Sequence, residues 1–453
     1  MGMRMVSAGG RIDVAEVGDL QTALDQLPLT GGTVWLPAGV YEIDETVRCQ
    51  LAEGQHLNLC GEGRATVIRY TATDGSPFLE IRGVEGSWWP DLRITIRDLS
   101  LAGNHACGDA LLLQWPNDAL VDACFFEGFG GTAIRVNPQA TNVTIRDCWM
   151  RDCHRALHAD NLHHLTFHGN QTRSLKDGQT QGEHVYIGKH CREVRIVNNH
   201  LAYGHAEGIV LDGTAQHVVA NNTIEGFTCG IRAIDCRDIT ISSNYLHCPT
   251  GIRLEEDNRG LVVTGNIFTN NHDGGAVMIR DARGSGCHVI SNNIIRQSVY
   301  NDGQYGVDLG DAQACVVQGN IFEDLSGETA VRTEHEDCEV TGNVTTSTAR
   351  RAEASLHEKG CPKPPSEKSA YRSLHEYLAE LETDCQRHTM AWGTICRLLA
   401  EQDYADACSD GGWWMNDPSK PQAAAWLAAG WLAVIVKRIE GRVVFARRGG
   451  TRG

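Results

Sequence analysis

The middle of this chain repeats one five-residue phrase: a small residue, then apolar, variable, apolar, variable. It reads Ala133-Ile-Arg-Val-Asn, Ala156-Leu-His-Ala-Asp, His184-Val-Tyr-Ile-Gly (with His first), Gly208-Ile-Val-Leu-Asp and Gly230-Ile-Arg-Ala-Ile. It continues as Gly251-Ile-Arg-Leu-Glu, Ala276-Val-Met-Ile-Arg, Gly306-Val-Asp-Leu-Gly and Ala330-Val-Arg-Thr-Glu. Such alternation predicts a strand with the apolar pair inside and the two variable positions outside. A second phrase, β-type residues then Asn then two apolar residues, carries Asn170, Asn199, Asn222, Asn244, Asn266, Asn293, Asn320 and Asn343. The intervals are 29, 23, 22, 22, 27, 27 and 23 residues, and Asp98, Asp122 and Asp147 are read as holding the same place upstream. A strand-rich period in the low twenties predicts stacked coils, each burying its apolar face on its neighbours. Asn or Asp at one fixed turn tolerates the left-handed region, and stacked amides can bond from coil to coil.

The flanks differ. Residues 18–28 read as a short amphipathic helix with Asp19 as N-cap and Leu20, Ala23, Leu24 and Leu27 on one face, a plug for an open solenoid end. Near residue 350 the repeat stops, and Cys361-Pro-Lys-Pro-Pro365 reads as a linker. Residues 367–384, 386–402 and 421–437 then read as helices. The expected architecture is an all-β solenoid, a right-handed parallel β-helix of roughly a dozen coils. Its parts are an N-terminal segment and capping helix (1–30), the β-helix (31–346), a linker (347–366) and a C-terminal helical region (367–453). Trp392, Trp413, Trp414, Trp426 and Trp431 crowd that last region. They read as the core of a cap on the last coil or of an oligomer contact, with a sugar-binding module as the alternative.

Composition narrows the function. The 49 Gly and 6% aromatics suit many tight turns around a narrow core. A net charge of -17 argues against nucleic acid and against an anionic membrane as partners. Met1–Val14 has no apolar signal core, and Ala423–Val436, broken by Gly430, is too short to span a bilayer. Location is left open; free thiols favour a reducing compartment. The 17 Cys include no CxxC; those inside coils read as small buried hydrophobes, and no Cys/His spacing implies a metal. No cofactor is implied, and nothing in the sequence indicates Ca²⁺. Homo-oligomer contacts would use the β-helix side or the C-terminal helices.

The capping helix followed by Gly31-Gly-Thr-Val-Trp-Leu-Pro-Ala-Gly-Val-Tyr41 and then the Asn-marked coils resembles the pectate-lyase-like superfamily, over about residues 18–346. That group of right-handed parallel β-helices includes pectate and alginate lyases, polygalacturonases, inulin fructotransferases, alginate epimerases and phage tailspike depolymerases. The resemblance implies a fold and a carbohydrate polymer or oligomer as substrate. The Asp-Pro-His-Asp motif of the epimerases and the Asn-Thr-Asp and Gly-His-Gly motifs of polygalacturonases are absent. No member's site residues carry over.

The chemistry must therefore be read from the outer columns. The first is Arg135, His158, Tyr186, Val210, Arg232, Arg253, Met278, Asp308, Arg332; the second is Asn137, Asp160, Gly188, Asp212, Ile234, Glu255, Arg280, Gly310, Glu334. Adjacent entries lie about 4.8 Å apart, so Asp160 and Asp212 stand roughly 9–10 Å apart at the backbone. One reading is structural, a ladder pairing Asp212 with Arg232 and Glu255 with Arg253 and Arg280. The other is a catalytic face, with Gly188 as an open notch for a sugar ring. The long loop 171–183 adds Arg173, Lys176, Asp177 and Glu183 to the rim; 297–304 flanks Asp308; Trp88 and Trp89 are a sugar platform or a clamp over the cap. Beta-elimination from a uronate polymer needs a cation on the carboxylate, here Arg232 or Arg253, and a base or acid, here His158, Tyr186 or His205. Glycoside hydrolysis or glycosyl transfer needs two carboxyls, best Asp160 and Asp212, with Glu207 or Glu183 as substitutes. Arg135, Arg173, Lys176, Arg253, Glu255, Arg280 and Asp308 are the candidate substrate contacts. The Arg content favours the lyase; a non-catalytic structural or phage-tail-type β-helix is the third reading.

Overall fold

The computed structural model describes residues 10–87, 89–174, 182–269, 275–280, 285–296, 305–323, 330–346, 362–382, 385, 387–399, 407, 411–414, 416–437 and 442–448. The chain winds through three parallel sheets of 14, 13 and 12 strands, visited in that order in each coil. Every strand pairs with its counterpart one coil along, so the protein is a parallel β-solenoid. Inward positions stack like with like: Ile134, Leu157, Val185, Ile209, Ile231, Ile252 and Val277 form one column of the 12-stranded sheet and are buried. That continuous apolar column is what a coil unable to fold alone requires. The chain separates into two compact units, residues 1–294, 307–320 and 331–342, and residues 295–306, 321–330 and 343–453.

The capping helix is Leu20–Asp25, and Asp19 caps it by accepting from Thr22 N. A strand, Arg11–Asp13, and a one-turn helix, Val14–Val17, precede it and were not foreseen. The Asn column is a ladder. Each Oδ1 accepts from the backbone N and the Nδ2 of the Asn one coil before, at 2.9–3.2 Å from Asn170 to Asn320. Two details correct the sequence reading. The left-handed residue is the one before the Asn, for example Asn198, Asn221 and Ser243, and it is there that Asp98 and Asp147 sit. The ladder's upstream slots hold Cys124 and Cys148 instead: Cys148 N donates to Asn170 Oδ1, and Trp149 N and Gln171 N donate to the Cys124 and Cys148 carbonyls.

The C-terminal region is mixed rather than helical. Helices Arg372–Ala379, Trp392–Leu398 and Pro421–Ala428 form. The predicted 386–402 helix begins as a strand, Arg387–Ala391, and the 421–437 helix ends where Gly430 turns at φ +86. The β-branched run that follows becomes strand Trp431–Lys437, antiparallel to Arg442–Arg447. Trp413, Trp414, Trp426 and Trp431 are buried together with Phe445. The Trp431 indole donates to Leu378 O and that of Trp426 to Asn416 Oδ1. These rings are core, so they offer no stacking face to a sugar. Among the described residues, no helix is long and apolar enough to cross a membrane.

Candidate active site

The register of the 12-stranded sheet places the first outer column as read, from Arg135 through His158, Tyr186, Val210, Arg232, Arg253, Met278 and Asp308 to Arg332. It is not one polar surface. Val210 and Met278 are buried and divide it into separate clusters.

The first cluster is a chain of hydrogen bonds. Arg155 Nη2 donates to Glu183 at 2.6 Å, and Arg155 Nη1 lies 2.9 Å from His158 Nδ1. His158 Nε2 lies 2.5 Å from Asp160 Oδ2. A guanidinium can only donate, so Nδ1 accepts and the ring proton sits on Nε2, facing Asp160. Both nitrogens of His158 are then engaged, and the ring holds Asp160 rather than serving as a base. Tyr186 packs on His158 with ring centres 4.9 Å apart, and its hydroxyl donates to Asp212 at 2.8 Å. Burial first, then that hydrogen bond and the nearby carboxylates, push the Tyr186 phenol well above its ordinary value. It is a proton donor at neutral pH.

Gly188 corrects another expectation. A Cβ there would stand 1.7 Å from Asp160 Oδ1 and 2.8 Å from the Tyr186 ring. The notch is the seat of the Asp160 carboxylate, not an empty slot for a sugar. The Asp212–Arg232 pair is also replaced. Asp212 takes Tyr186, while Arg232 forms a second cluster, bonding Glu255 at 2.9 and 2.6 Å with Glu207 3.9 Å away. Arg253 stands 3.9 Å from Glu255, and its buried Nε has no hydrogen-bond partner among the described residues.

Other candidates lie apart. Arg135 is bound to Asp109 at 2.5 Å. Asp308 accepts from Gly310 N and pairs with Arg332 at 3.4 Å. Arg173 belongs to the 13-stranded sheet, its guanidinium 4.9 Å from the Tyr203 ring. His205 is exposed at the corner beside Tyr203 and Glu225. Trp89 lies 6.4 Å from His164, a residue of the 14-stranded sheet, so it offers no platform on the candidate face. Arg280 is in register with Glu255. Trp88, Lys176, Asp177 and the 297–304 loop lie outside the described residues. The residue that sequence reading missed is Arg155. Its signal lies in the sequence: it immediately precedes Ala156, one place before the repeated phrase begins.

Thiol chemistry finds no support inside the coils. The described cysteines are free, and burial pushes Cys191, Cys229, Cys236 and Cys248 up to about 12, leaving thiols where a nucleophile would need thiolates.

Comparisons with known proteins agree on the fold. The family described as periplasmic copper-binding protein (NosD) matches residues 117–285. Among the described residues there is no group of three or more His, Cys, Asp or Glu that could hold a metal ion. No curated protein matches. Among solved structures, the A-module of Azotobacter vinelandii mannuronan C-5 epimerase AlgE6 superposes with TM-score 0.52 at 18% identity, covering 74% of this chain and 99% of that one. Gene product 12 of bacteriophage phi29 gives 0.50 at 14% identity, covering 74% of this chain and 56% of that one. These likenesses establish the parallel β-helix.

Proposed function

We propose that this protein is a carbohydrate-active enzyme that binds an acidic polysaccharide across the 12-stranded sheet and cleaves it by β-elimination. The observation that carries the reading is the Glu183–Arg155–His158–Asp160 chain packed against Tyr186–Asp212. Structural ion-pair ladders do not need a phenol held by a carboxylate beside a histidine of fixed tautomer. Arg155, the guanidinium of that same cluster, neutralises the uronate carboxylate and so acidifies the neighbouring C5 proton; Arg253 stands four strands, about 19 Å, from the His158 strand and meets another sugar unit. Asp160 takes that proton. The electrons form the C4–C5 double bond and expel the glycosidic oxygen, which receives the Tyr186 proton; the phenolate, disfavoured beside the Asp212 carboxylate, is reprotonated from water, and Asp160 releases its proton to solvent. A phenol with a raised pKa is well matched to a leaving alkoxide.

A second reading is glycoside hydrolysis with Asp160 and Asp212 as the carboxyl pair, favoured by their placement on either side of Tyr186. Incubation with alginate, polygalacturonate and neutral glucans separates the two. Elimination gives products that absorb in the ultraviolet and new reducing ends. Hydrolysis gives reducing ends alone, and epimerisation changes sugar configuration by nuclear magnetic resonance with neither signal. No change in any polymer leaves a non-catalytic β-helix.

A further inference from the structure

At the corner between the 13-stranded and 12-stranded sheets, Tyr203, His205, Glu225, Phe227, His247 and Pro249 line a pocket of about 530 Å³, a size typical of small-ligand sites. We propose that it is a subsite for an acidic sugar unit of the polymer, an inference that rests on the reading of the substrate given above. Tyr203 is 50% exposed although it is a large aromatic residue, and it is held at φ +56, in the left-handed region that bulky side chains seldom adopt. Gly226, at φ +75, lets the pocket wall approach it: a Cβ there would lie 3.2 Å from Tyr203 Cα. The Arg173 guanidinium stands 4.9 Å from the Tyr203 ring, bringing a positive charge to the rim.

The polar groups suit a uronate. His247 Nδ1 is engaged with Thr269 Oγ1 at 2.8 Å, and among the described residues nothing hydrogen-bonds Nε2, which faces the pocket's ligand. His205 is exposed beside it, so imidazoles and Arg173 can meet a carboxylate. Glu225, 3.2 Å from His200 Nε2, keeps a second oxygen for sugar hydroxyls. Tyr203 and Pro249 supply the apolar surface on which a sugar ring rests. The pocket is also coupled to the candidate active face by sequence. Residues 203–206 lead directly into Glu207, whose carboxylate lies 3.9 Å from Arg232.

Calorimetric titration of the full chain tests this, using trimers of galacturonate, mannuronate and guluronate, with cellotriose as the neutral counterpart. At least one acidic trimer should bind and cellotriose should not. Tyr203→Ala and His247→Ala should each weaken binding about tenfold, equivalent to ~1.4 kcal/mol, while Asp212→Asn retains it. Both pocket side chains are solvent-facing, and a thermal melt checks that the variants fold. Equal affinity of wild type and both pocket variants, or no binding of any acidic trimer, overturns the subsite. Tyr203-dependent binding without turnover of any polymer would leave the subsite standing and sink the elimination reading. Turnover with binding indifferent to Tyr203 would do the reverse.

Discussion

The consequences of single side chains are clearest at Gly188 and Tyr186. Gly188 is not in the left-handed region, so its backbone tolerates alanine; the obstacle is the Asp160 oxygen 1.7 Å from where a Cβ would stand. Gly188→Ala must displace that carboxylate from His158. We expect about a 100-fold loss in kcat, the scale for a misplaced general base, with only about 1 kcal/mol lost in stability. Tyr186→Phe should cost a similar factor of about 100 in kcat through the lost proton donor, with the fold intact because the ring packing survives. Steady-state rates on the responsive polymer, read beside thermal melts, check both; near-native rates in the two variants would return this cluster to a structural role. Individual residues were legible wherever strand alternation set their direction, as with His158, Asp160, Tyr186 and Asp212. Their partners were not. Alternation says which face a side chain occupies, but Asp212 choosing Tyr186 over Arg232 depends on side-chain reach. Arg155 was missed because it sits at the strand's first residue, where the chain turns the corner.

At the scale of the coil, two stacked devices hold the turns. The Asn ladder is satisfied on every side: Asn244 Nδ2 donates to Val219 O and Asn266 Oδ1, while its own Oδ1 receives Asn222. Asn244→Ala strands the buried Asn222 N and Nδ2 donors and takes a donor from the Val219 carbonyl and Asn266 Oδ1, and should destabilise by about 1–3 kcal/mol. Urea denaturation measures this, and rate per folded molecule should not change. The second device is a buried neutral histidine. Val194 N donates to His217 Nδ1, and Leu261 N donates to His288 Nδ1. Each ring's Nε2 bonds a hydroxyl three residues earlier, Thr214 or Ser285. Burial lowers both to about 4. The unfolded chain then binds more protons than the folded one between about pH 6.5 and 4, so stability is full above about 6.5 and falls as pH drops through that window. The loss should reach roughly 3 kcal/mol per ring, read as a falling urea midpoint. His217→Gln should flatten that slope even if it lowers stability throughout. The coil repeat was plain in the sequence because it recurs. The ladder's exact slot was not: Asp98 and Asp147 resemble its Asn residues chemically yet serve the turn position before it.

For the whole molecule, the solenoid announced itself because a one-dimensional repeat writes its period into the chain. The C-terminal region gave a weaker signal, since short apolar runs fit helix and strand alike until Gly430 and the β-branched Val434-Ile435-Val436 are weighed. The substrate class is a property of the entire charge distribution, and that yields a final test. The candidate face gathers Arg155, Arg232 and Arg253, while the chain as a whole carries -17. A polyuronate approaching from solution meets the net field first and the guanidinium groups only at contact. At about 10 mM ionic strength the screening length is ~30 Å, so the net negative field reaches across the molecule; at about 150 mM it shrinks to ~8 Å and only close charges are felt. Raising salt over that range should therefore lower KM for an acidic polymer, by weakening repulsion at approach, and leave kcat unchanged, because the contacts around Tyr186 are short and partly buried. A neutral oligosaccharide, if one is turned over, should show no such change. A KM that climbs steadily with salt would mean that the arginine cluster dominates the encounter, and that the acidic remainder of the molecule faces away from the polymer's path.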